Sequence, residues 1–388
     1  MKILYLTMLY SVEKNGLYQN LVDSLVNRNH EITIVRSKCD IEKTCLEELK
    51  PGIMGLNVKA GNPLEHNLIK KGINQILLAY YFKKAIKEFL DNEKYDLILY
   101  ATPPVTLASV VKFCKNKYDA KTFLMLKDIF PQNAVDLNMM NKKSFIYKYF
   151  RRQEKKYYEY SDCIGCMSEG NKEYLIKNNP NINKNKICVF PNSITIAEEE
   201  NITFHKEKTV FMFGGNLGKP QNITFLLNVI HNLRDYSKAE FWIVGKGTEK
   251  EQILKFIHKW NCKNLKYHEE VPQDVYENML KEADVGIISL DPRFTIPNIP
   301  SRFQSYLKLK KPVLAITDTV TDLQKMIKDN GCGWWCDAFN EPEVIENIKY
   351  ICEHKEEQII KGEKGFEFLK EAFDVEKNVD KLDALLGL

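Results

Sequence analysis

Residues 209–219 read Thr-Val-Phe-Met-Phe-Gly-Gly-Asn-Leu-Gly-Lys, an apolar run followed directly by a glycine-rich turn. Apolar residues then recur at helical spacing, at Ile223, Leu226, Leu227, Ile230 and Leu233. A buried strand, a glycine turn and an amphipathic helix are typical of a parallel α/β unit. The segment therefore predicts a doubly wound sheet with these glycines at the carboxyl end of a strand.

The same succession of elements extends along the whole chain. Further short apolar runs predict strands at 2–9, 32–35, 96–100, 121–126, 163–167, 240–244, 285–289 and 312–316. The pattern restarts after Pro191-Asn192, which indicates two doubly wound domains, residues 1–192 and 193–365. A tail with helical periodicity, residues 366–388, is expected to join the first domain.

Composition limits the class of protein. The chain has 388 residues, of which 44% are hydrophobic and 28% charged, as in globular proteins. No apolar run approaches the roughly 18–20 residues of a membrane span, and the apolar start is too short for a signal peptide. We therefore expect a cytoplasmic protein whose ten cysteines are thiols.

Charge is distributed unevenly between the two halves. Residues 1–193 hold 30 Lys and Arg against 20 Asp and Glu, and the remaining residues hold 26 against 32. The excess of positive charge in the first half has two interpretations. This half faces an anionic surface or ligand, or its charges are merely distributed unevenly over a solvated surface. Residues 142–158 carry seven cations and one acid interleaved with aromatic residues, which favours contact with an anionic membrane. The alternative is a core-facing helix with a solvated basic side; no nucleic-acid module is recognisable.

Two segments predict an anion site. Glycines 214, 215 and 218 allow close backbone approach, and Lys219 adds a charge in the expected first helical turn, so that a diphosphate fits there. Ser301 and Arg302 begin a helix between two predicted strands, and arginine is rare in this chain. The alternatives are a plain glycine turn with a solvated lysine and a loop with a surface arginine.

Metal chemistry has little support in the sequence. Cys163 and Cys166 form a C-x-x-C pair, and Cys332 and Cys336 are four residues apart. A zinc site would require the two pairs to converge, and burial in a strand is the better interpretation. The chain also has no Asp-x-Asp triplet, so we expect no metal.

Together the motifs resemble glycosyltransferase family 4, which has the GT-B architecture of two Rossmann-like domains facing across a cleft. The matching segments occur in the family's order, at 2–16, 126–131, 167–175, 189–193, 214–219, 242–249, 283–287 and 300–315. The resemblance is strongest to bacterial enzymes that build capsule or O-antigen repeat units. It implies a retaining transferase that needs no metal or other cofactor.

The resemblance also implies substrates and a location. The donor would be a nucleotide-diphosphate sugar, with UDP as the expected nucleotide and an N-acetylated amino or deoxy-amino sugar. The acceptor would be lipid-linked or another glycan, and the enzyme would work peripherally at the inner face of the cytoplasmic membrane. Residues Lys142–Lys156 would contact that membrane.

Individual positions follow from the family's motifs. The donor diphosphate would meet Lys219 and Arg302, which would stabilise the charge that grows on the leaving oxygen. Asp128 would face the acceptor or sugar, with a role as base the alternative, and Glu169 would lie in the cleft. The remaining expected donor-binding residues are Gly16, Gly214, Gly215, Asn216, Gly247, Val271, Asp291, Ser301 and Ser305.

One departure from the family is clear. The family's pair of glutamates falls at Pro297 and Ser305, and neither residue is acidic. Ser305 can bond a hydroxyl more weakly than a carboxylate can, and Asp291 is a candidate for the missing carboxylate. Two other functions stay open: a sugar-nucleotide 2-epimerase with the same architecture, and a non-catalytic nucleotide-sugar-binding homologue.

Overall fold

The computed structural model describes residues 1–12, 16–61, 68–196 and 207–387, and these form two compact units. The first unit contains Met1–Thr195 and Val375–Leu388, and the second contains Ile196–Asp374. The expected tail is therefore divided, because Phe366 and Leu369 are buried in the second unit and only the residues from Val375 onward join the first. Residues 197–206, which follow the expected boundary between the domains at 192/193, lie outside the described residues.

The first unit is built on an eight-stranded sheet in the order β3-β4-β2-β1-β5-β6-β7-β8. All neighbouring strands are parallel except β3, which runs antiparallel to β4. Its strands are β1 Lys2–Leu6, β2 Glu31–Lys38, β3 Cys45–Lys50, β4 Ile53–Lys59, β5 Leu97–Ala101, β6 Lys121–Leu126, β7 Cys163–Cys166 and β8 Ile187–Val189.

Helices cover both faces of this sheet, and a helix from the end of the chain completes one of them. They are α1 Leu17–Asn27, α2 Leu68–Phe89, α3 Ala108–Tyr118, α4 Gln132–Asp136, α5 Phe145–Tyr160, α6 Glu169–Asn178 and α14 Val375–Leu386. None of the helices in the described part of the chain is long and apolar enough to span a membrane.

The second unit has a six-stranded, fully parallel sheet in the order β11-β10-β9-β12-β13-β14. The strands are β9 Thr209–Gly214, β10 Ala239–Val244, β11 Leu265–His268, β12 Val285–Ser289, β13 Val313–Thr317 and β14 Gly333–Asp337. The helices are α7 Ile223–Asn232, α8 Lys250–Trp260, α9 Gln273–Glu282, α10 Arg302–Lys308, α11 Leu323–Asn330, α12 Glu341–Glu353 and α13 Lys355–Ala372.

Helix α14 is held on the first unit by apolar and charged contacts. Val379 and Leu382 are fully buried in the same core as α1. At the surface, the guanidinium of Arg28 donates to Glu376 at 2.7 Å and to Asp380 at 2.6 Å. Apolar periodicity alone could not show that α13 and α14 belong to different units, since both helices have a buried stripe.

Leu382→Ala should destabilise the first unit by about 2–5 kcal/mol, because it removes buried methyl groups and leaves a cavity. Leu385→Ala is the matched control on the same helix, since Leu385 is 45% exposed. Its effect should stay within about 0.5 kcal/mol. Urea unfolding followed by far-UV circular dichroism measures both, and equal effects would contradict the packing of α14.

Candidate functional site: the glycine loop and Arg302 of the second unit

The glycine turn predicted from the sequence follows β9 and lies along the loop after β10. Gly215 N–H donates to the carbonyl of Val244 at 2.9 Å, and Leu217 N–H donates to the carbonyl of Lys246 at 2.8 Å. Gly245 has φ 146°, and a Cβ atom there would collide with the carbonyl oxygen of Gly215. The two loops therefore pack backbone against backbone, which only glycine permits at this point.

The sequence predicts Lys219 in the first turn of an α-helix, but the structure places it before that helix. Residues Lys219–Gln221 form a 3₁₀ turn, Asn222 takes a left-handed conformation with φ 47°, and α7 begins at Ile223. The left-handed backbone of Asn222 separates this turn from α7. The Lys219 side chain is exposed and makes no ion pair within the described ranges.

Arg302 is the most constrained charge of the site. Its guanidinium lies over the ring of Phe213 at 4.4 Å and donates from Nη2 to Oε1 of Gln221 at 3.0 Å. Gln221 belongs to the same 3₁₀ turn as Lys219. Nη1 is buried and has no hydrogen-bond partner among the described residues. Burial lowers the pKa of Arg302 below its ordinary value, and none of the carboxylates in the described part of the chain forms an ion pair that would offset this desolvation.

Two tyrosines that the sequence analysis missed support this loop. The phenol of Tyr276 lies so close to Gly214 that a Cβ atom there would collide with it. The Tyr306 hydroxyl accepts from Gly214 N–H at 3.3 Å and lies 3.1 Å from the carbonyl of Ile287. Burial raises the pKa of Tyr276, so this phenol stays a neutral hydrogen-bonding group. Nothing in the sequence pattern distinguishes these tyrosines from core aromatics.

The carboxylate proposed to replace the missing glutamates is already paired. Asp291 is buried and accepts from Nε of Arg293 at 2.8 Å and from Nη2 at 2.6 Å. Its backbone N–H donates to the carbonyl of Pro220 at 2.9 Å, which brings this loop beside the 3₁₀ turn. Pro297 is buried and Ser305 is half-buried. Asp291 is thus a neighbour of the anion site whose charge Arg293 balances.

The other expected donor residues lie at the carboxyl edge of the same sheet or in the loops beside it. Asn216 and Ser301 are exposed, and Ser301 begins α10 without a side-chain cap. Gly247 approaches the carbonyl of Leu217 too closely for a side chain. Gly245 N–H donates to the carbonyl of His268 at 3.0 Å, which places the strand before the half-buried Val271 beside this loop.

Three expected site residues belong to the first unit. Gly16 caps α1, and Asp128 follows β6 and accepts from Nδ2 of Asn133 at 2.7 Å. Burial raises the pKa of Asp128 to about 6, well above that of an ordinary aspartate. Glu169 begins α6, is exposed, and pairs with Lys172 at 3.2 Å. Asp128 is therefore a carboxyl group whose pKa is raised by its surroundings, whereas Glu169 is an acid at the protein surface.

The two cysteine pairs considered for zinc lie in different units. Cys166, Cys332 and Cys336 are buried. Over the described ranges, no group of three or more His, Cys, Asp and Glu side chains could hold a metal ion.

Comparison with known proteins identifies the family. Residues 17–198 match the family model described as Glycosyltransferase Family 4, and residues 195–368 match the model described as Glycosyl transferases group 1. The chain belongs to the GT-B glycosyltransferases. Among curated proteins, it is 26% identical to a probable glycosyltransferase WbjE of Pseudomonas aeruginosa over 298 residues, 74% of each chain.

Solved structures show the same GT-B fold. Sucrose-phosphate synthase of Thermosynechococcus elongatus aligns with a TM-score of 0.78 at 14% identity, covering 99% of this chain and 98% of that one. Anabaena HepE in complex with UDP aligns with a TM-score of 0.69 at 13% identity over all of both chains. WaaG, a glycosyltransferase involved in lipopolysaccharide biosynthesis, has a TM-score of 0.71 at 11% identity and covers all of both chains. The predicted fold class and the identification as a transferase are confirmed.

The raised pKa of Asp128 in this glycosyltransferase predicts a pH-dependent stability. The folded state binds this proton more tightly than the unfolded state, so the contribution of Asp128 to stability falls as the pH rises from about 4 to about 6. Asp128→Asn should therefore be more stable, relative to the wild type, at pH 7.5 than at pH 5 by about 1 kcal/mol. Denaturant unfolding at both values measures the difference.

The control for this experiment is Asp119→Asn, on an exposed residue of the same unit with φ 50°. Asparagine tolerates that left-handed backbone equally well. A pH difference of the same size in both variants would contradict the assignment to Asp128.

Proposed function

We propose that this protein transfers a sugar from a nucleotide-diphosphate donor, with UDP as the nucleotide, to a lipid-linked or glycan acceptor in surface polysaccharide biosynthesis. The anomeric configuration would be retained and no metal used, and the sugar would be an N-acetylated amino or deoxy-amino sugar. HepE has been solved with UDP and with UDP-glucose, and the curated relative is named a probable glycosyltransferase.

The observation that carries the proposal is the unpartnered guanidinium nitrogen of Arg302. Leaving the Nη1 of Arg302 buried without a hydrogen bond is costly, and none of the described carboxylates pairs with this guanidinium. A diphosphate oxygen would supply both the hydrogen bond and the negative charge. The exposed ammonium of Lys219 adds a positive charge, and the glycine backbone leaves space for an anion as large as a diphosphate. A carboxylate ligand would pair with Arg302 and leave Lys219 without a partner. A diphosphate therefore fits the two cations better than a carboxylate does.

The proposed chemistry is electrostatic. When the bond between the sugar and the diphosphate breaks, negative charge grows on the departing oxygen. Arg302 and Lys219 would therefore interact more strongly with the transition state than with the ground state. The leaving phosphate can accept the proton of the acceptor hydroxyl, so no separate base is required. Asp128, with a pKa of about 6, is the alternative base.

Arg302→Gln should weaken UDP binding by about 2–4 kcal/mol, roughly 30- to 900-fold, because it removes a charge-assisted contact to a buried nitrogen. Lys219→Gln should weaken it by about two- to five-fold, since an exposed charge is screened by water. Isothermal calorimetry measures both. Arg234→Gln, on an exposed arginine at the end of α7, is the control and should bind UDP as the wild type does.

Product analysis separates the three functions. Mass detection of a glycosylated acceptor, after incubation with a panel of UDP-sugars and extracted lipid-linked acceptor, would support the transferase. Epimerisation of the nucleotide sugar without an acceptor would support the 2-epimerase, and UDP binding without turnover of any donor would support the non-catalytic homologue. Unchanged UDP affinity in both Arg302→Gln and Lys219→Gln would reject the diphosphate assignment itself.

The same proposal places the protein at an anionic membrane through helix α5. Phe145 is 89% exposed and Ile146 is 61% exposed at the start of this helix. The exposed cations around them are Lys142, Lys143, Lys148, Arg152 and Lys155.

On α2, Ile76, Leu77 and Tyr80 are exposed beside Lys84. Lys70 and Lys71 precede this part of α2 in the sequence, and their side chains lie outside those that the structure describes. Exposed apolar residues ringed by lysines suit a lipid headgroup region.

Replacing Lys142, Lys143, Lys148 and Arg152 by Glu should abolish co-sedimentation with phosphatidylglycerol vesicles, because each cation contributes about 1 kcal/mol near an anionic surface. The control carries the same charge change at exposed lysines elsewhere on the first unit, Lys43, Lys94, Lys121 and Lys184. It should still co-sediment. Retained binding by the first variant, or equal loss in both, would refute a membrane surface on α5.

A further inference from the structure

The fold brings together two thiols that are far apart in sequence, Cys163 on β7 and Cys188 on β8. Their Sγ atoms lie 3.9 Å apart, and either thiol can donate its hydrogen to the other sulfur. Both side chains are half-buried. Six other cysteines are buried, namely Cys114, Cys166, Cys262, Cys332, Cys336 and Cys352. Because a thiol buried in apolar surroundings is inert, the half-buried pair is a better candidate for chemistry than these six.

The register of two neighbouring strands places this pair side by side. Strands β7 and β8 are parallel, and a Cβ atom added to Gly165 would lie 2.5 Å from the Cβ of Phe190. Cys163 and Cys188 each lie two residues earlier along the same two strands. Since residues two apart on a strand share a face, the same offset sets the side chains of Cys163 and Cys188 next to each other. Closely spaced Cβ atoms on one face are what a disulfide requires.

The surroundings of Cys188 favour its thiolate form. The Nζ of Lys381 on α14 donates to the carbonyl of Val189 at 2.8 Å, which holds an ammonium group close to Cys188. The hydrogen bond with Cys163 lowers the pKa of Cys188, and the charges of Lys381 and Lys172 lower it further, although burial opposes them. The thiolate is the nucleophilic form of cysteine. Cys188 is therefore the attacking thiol of the pair, and Cys163 is the second thiol.

We propose that Cys163 and Cys188 form a redox-active pair that a low-molecular-weight disulfide, such as oxidised glutathione, converts into an intramolecular disulfide. The Cys188 thiolate attacks one sulfur of the glutathione disulfide, whose S–S bond breaks, and one glutathione leaves as a thiolate. Cys163 then gives its proton to water and attacks the Sγ of Cys188, which releases the second glutathione. Overall, two protein thiols are oxidised and one glutathione disulfide is reduced to two thiols.

The disulfide would fasten the edge of the first unit's sheet. Strand β8 has three residues and ends the strand order, so that β7 is its neighbour among the described strands. Helix α14 contacts this edge through Lys381 and through Nδ2 of Asn378, which donates to the carbonyl of Pro191 at 2.9 Å. Oxidation would close a covalent loop from Cys163 to Cys188 and thereby stabilise the strand that α14 contacts. The proposal is independent of the proposed function, since neither thiol belongs to the candidate donor site.

The test treats the folded, full-length protein with oxidised glutathione and analyses it without reductant. Intact mass spectrometry should show the loss of two hydrogens, and peptide mapping should join the peptide that contains Cys163 to the one that contains Cys188. Dithiothreitol should reverse both results. The oxidised protein should also unfold at a higher urea concentration than the reduced protein, because the cross-link restricts the unfolded chain. These measurements need no substitution.

Variants assign the role of each thiol. Cys163→Ala should stop at a mixed disulfide between glutathione and Cys188, since the thiol that would displace the glutathione is absent. Cys188→Ala should form neither the mixed disulfide at this site nor the intramolecular one. Cys45→Ala is the matched control, on a half-buried thiol of β3 in the same unit, and should form the Cys163–Cys188 bridge as the wild type does.

Several results would overturn the proposal. One is a wild-type protein that forms no disulfide while it is folded. Another is a bridge from Cys163 to Cys166, its neighbour in the sequence motif, in place of Cys188. A glutathione adduct that persists on Cys188 of the wild type would show a reactive thiol without a second thiol in reach. An adduct on Cys163 of Cys188→Ala, with none on Cys188 of Cys163→Ala, would contradict the assigned order of attack.

Discussion

The uncompensated charge of Arg302 is the constraint around which the loops of the second unit are arranged. Its guanidinium lies on Phe213 and bonds Gln221, yet one nitrogen is buried without a partner. Leaving a buried donor unpaired costs about 1–3 kcal/mol, and more for a charged group. Glutamine or methionine could fill the same space at lower cost. A folded protein that keeps arginine here gives up stability for a ligand contact, and the glycine loop beside it leaves the space open.

The strands that the sequence predicts are those with continuous apolar runs. Each of the nine predicted runs, that of 209–213 included, overlaps a strand of the structure, because strands buried on both faces must be apolar throughout. The largest difference is at the first run, 2–9, whose strand ends at Leu6. The strands that were missed are β3, β4, β8, β11 and β14. Of these, β3, β8, β11 and β14 lie at sheet edges, where one side is solvated and the pattern weakens. Strand β4 carries Gly55 and Asn57, which interrupt its apolar run.

The site was predictable where backbone chemistry dictates the residue and unpredictable where folding brings distant residues together. Two consecutive glycines, Gly214 and Gly215, indicate that other atoms approach the backbone closely, so the sequence alone predicts this loop. The support from Tyr276 and Tyr306 depends on packing against the neighbouring strands β9 and β12, which no local sequence pattern shows.

The missing glutamates change the balance of charge at the proposed donor site. A carboxylate at position 297 or 305 would offset part of the charge on Arg302 and Lys219, and Asp291 cannot do so while it is paired with Arg293. At the proposed site, these cations would therefore attract a diphosphate without competition from an unpaired acid at positions 291, 297 or 305. Hydroxyl recognition is correspondingly weaker, because Ser305 offers a neutral oxygen where a carboxylate would make charge-assisted bonds. In this chain, affinity for a nucleotide sugar would thus come from its phosphates more than from its sugar rings.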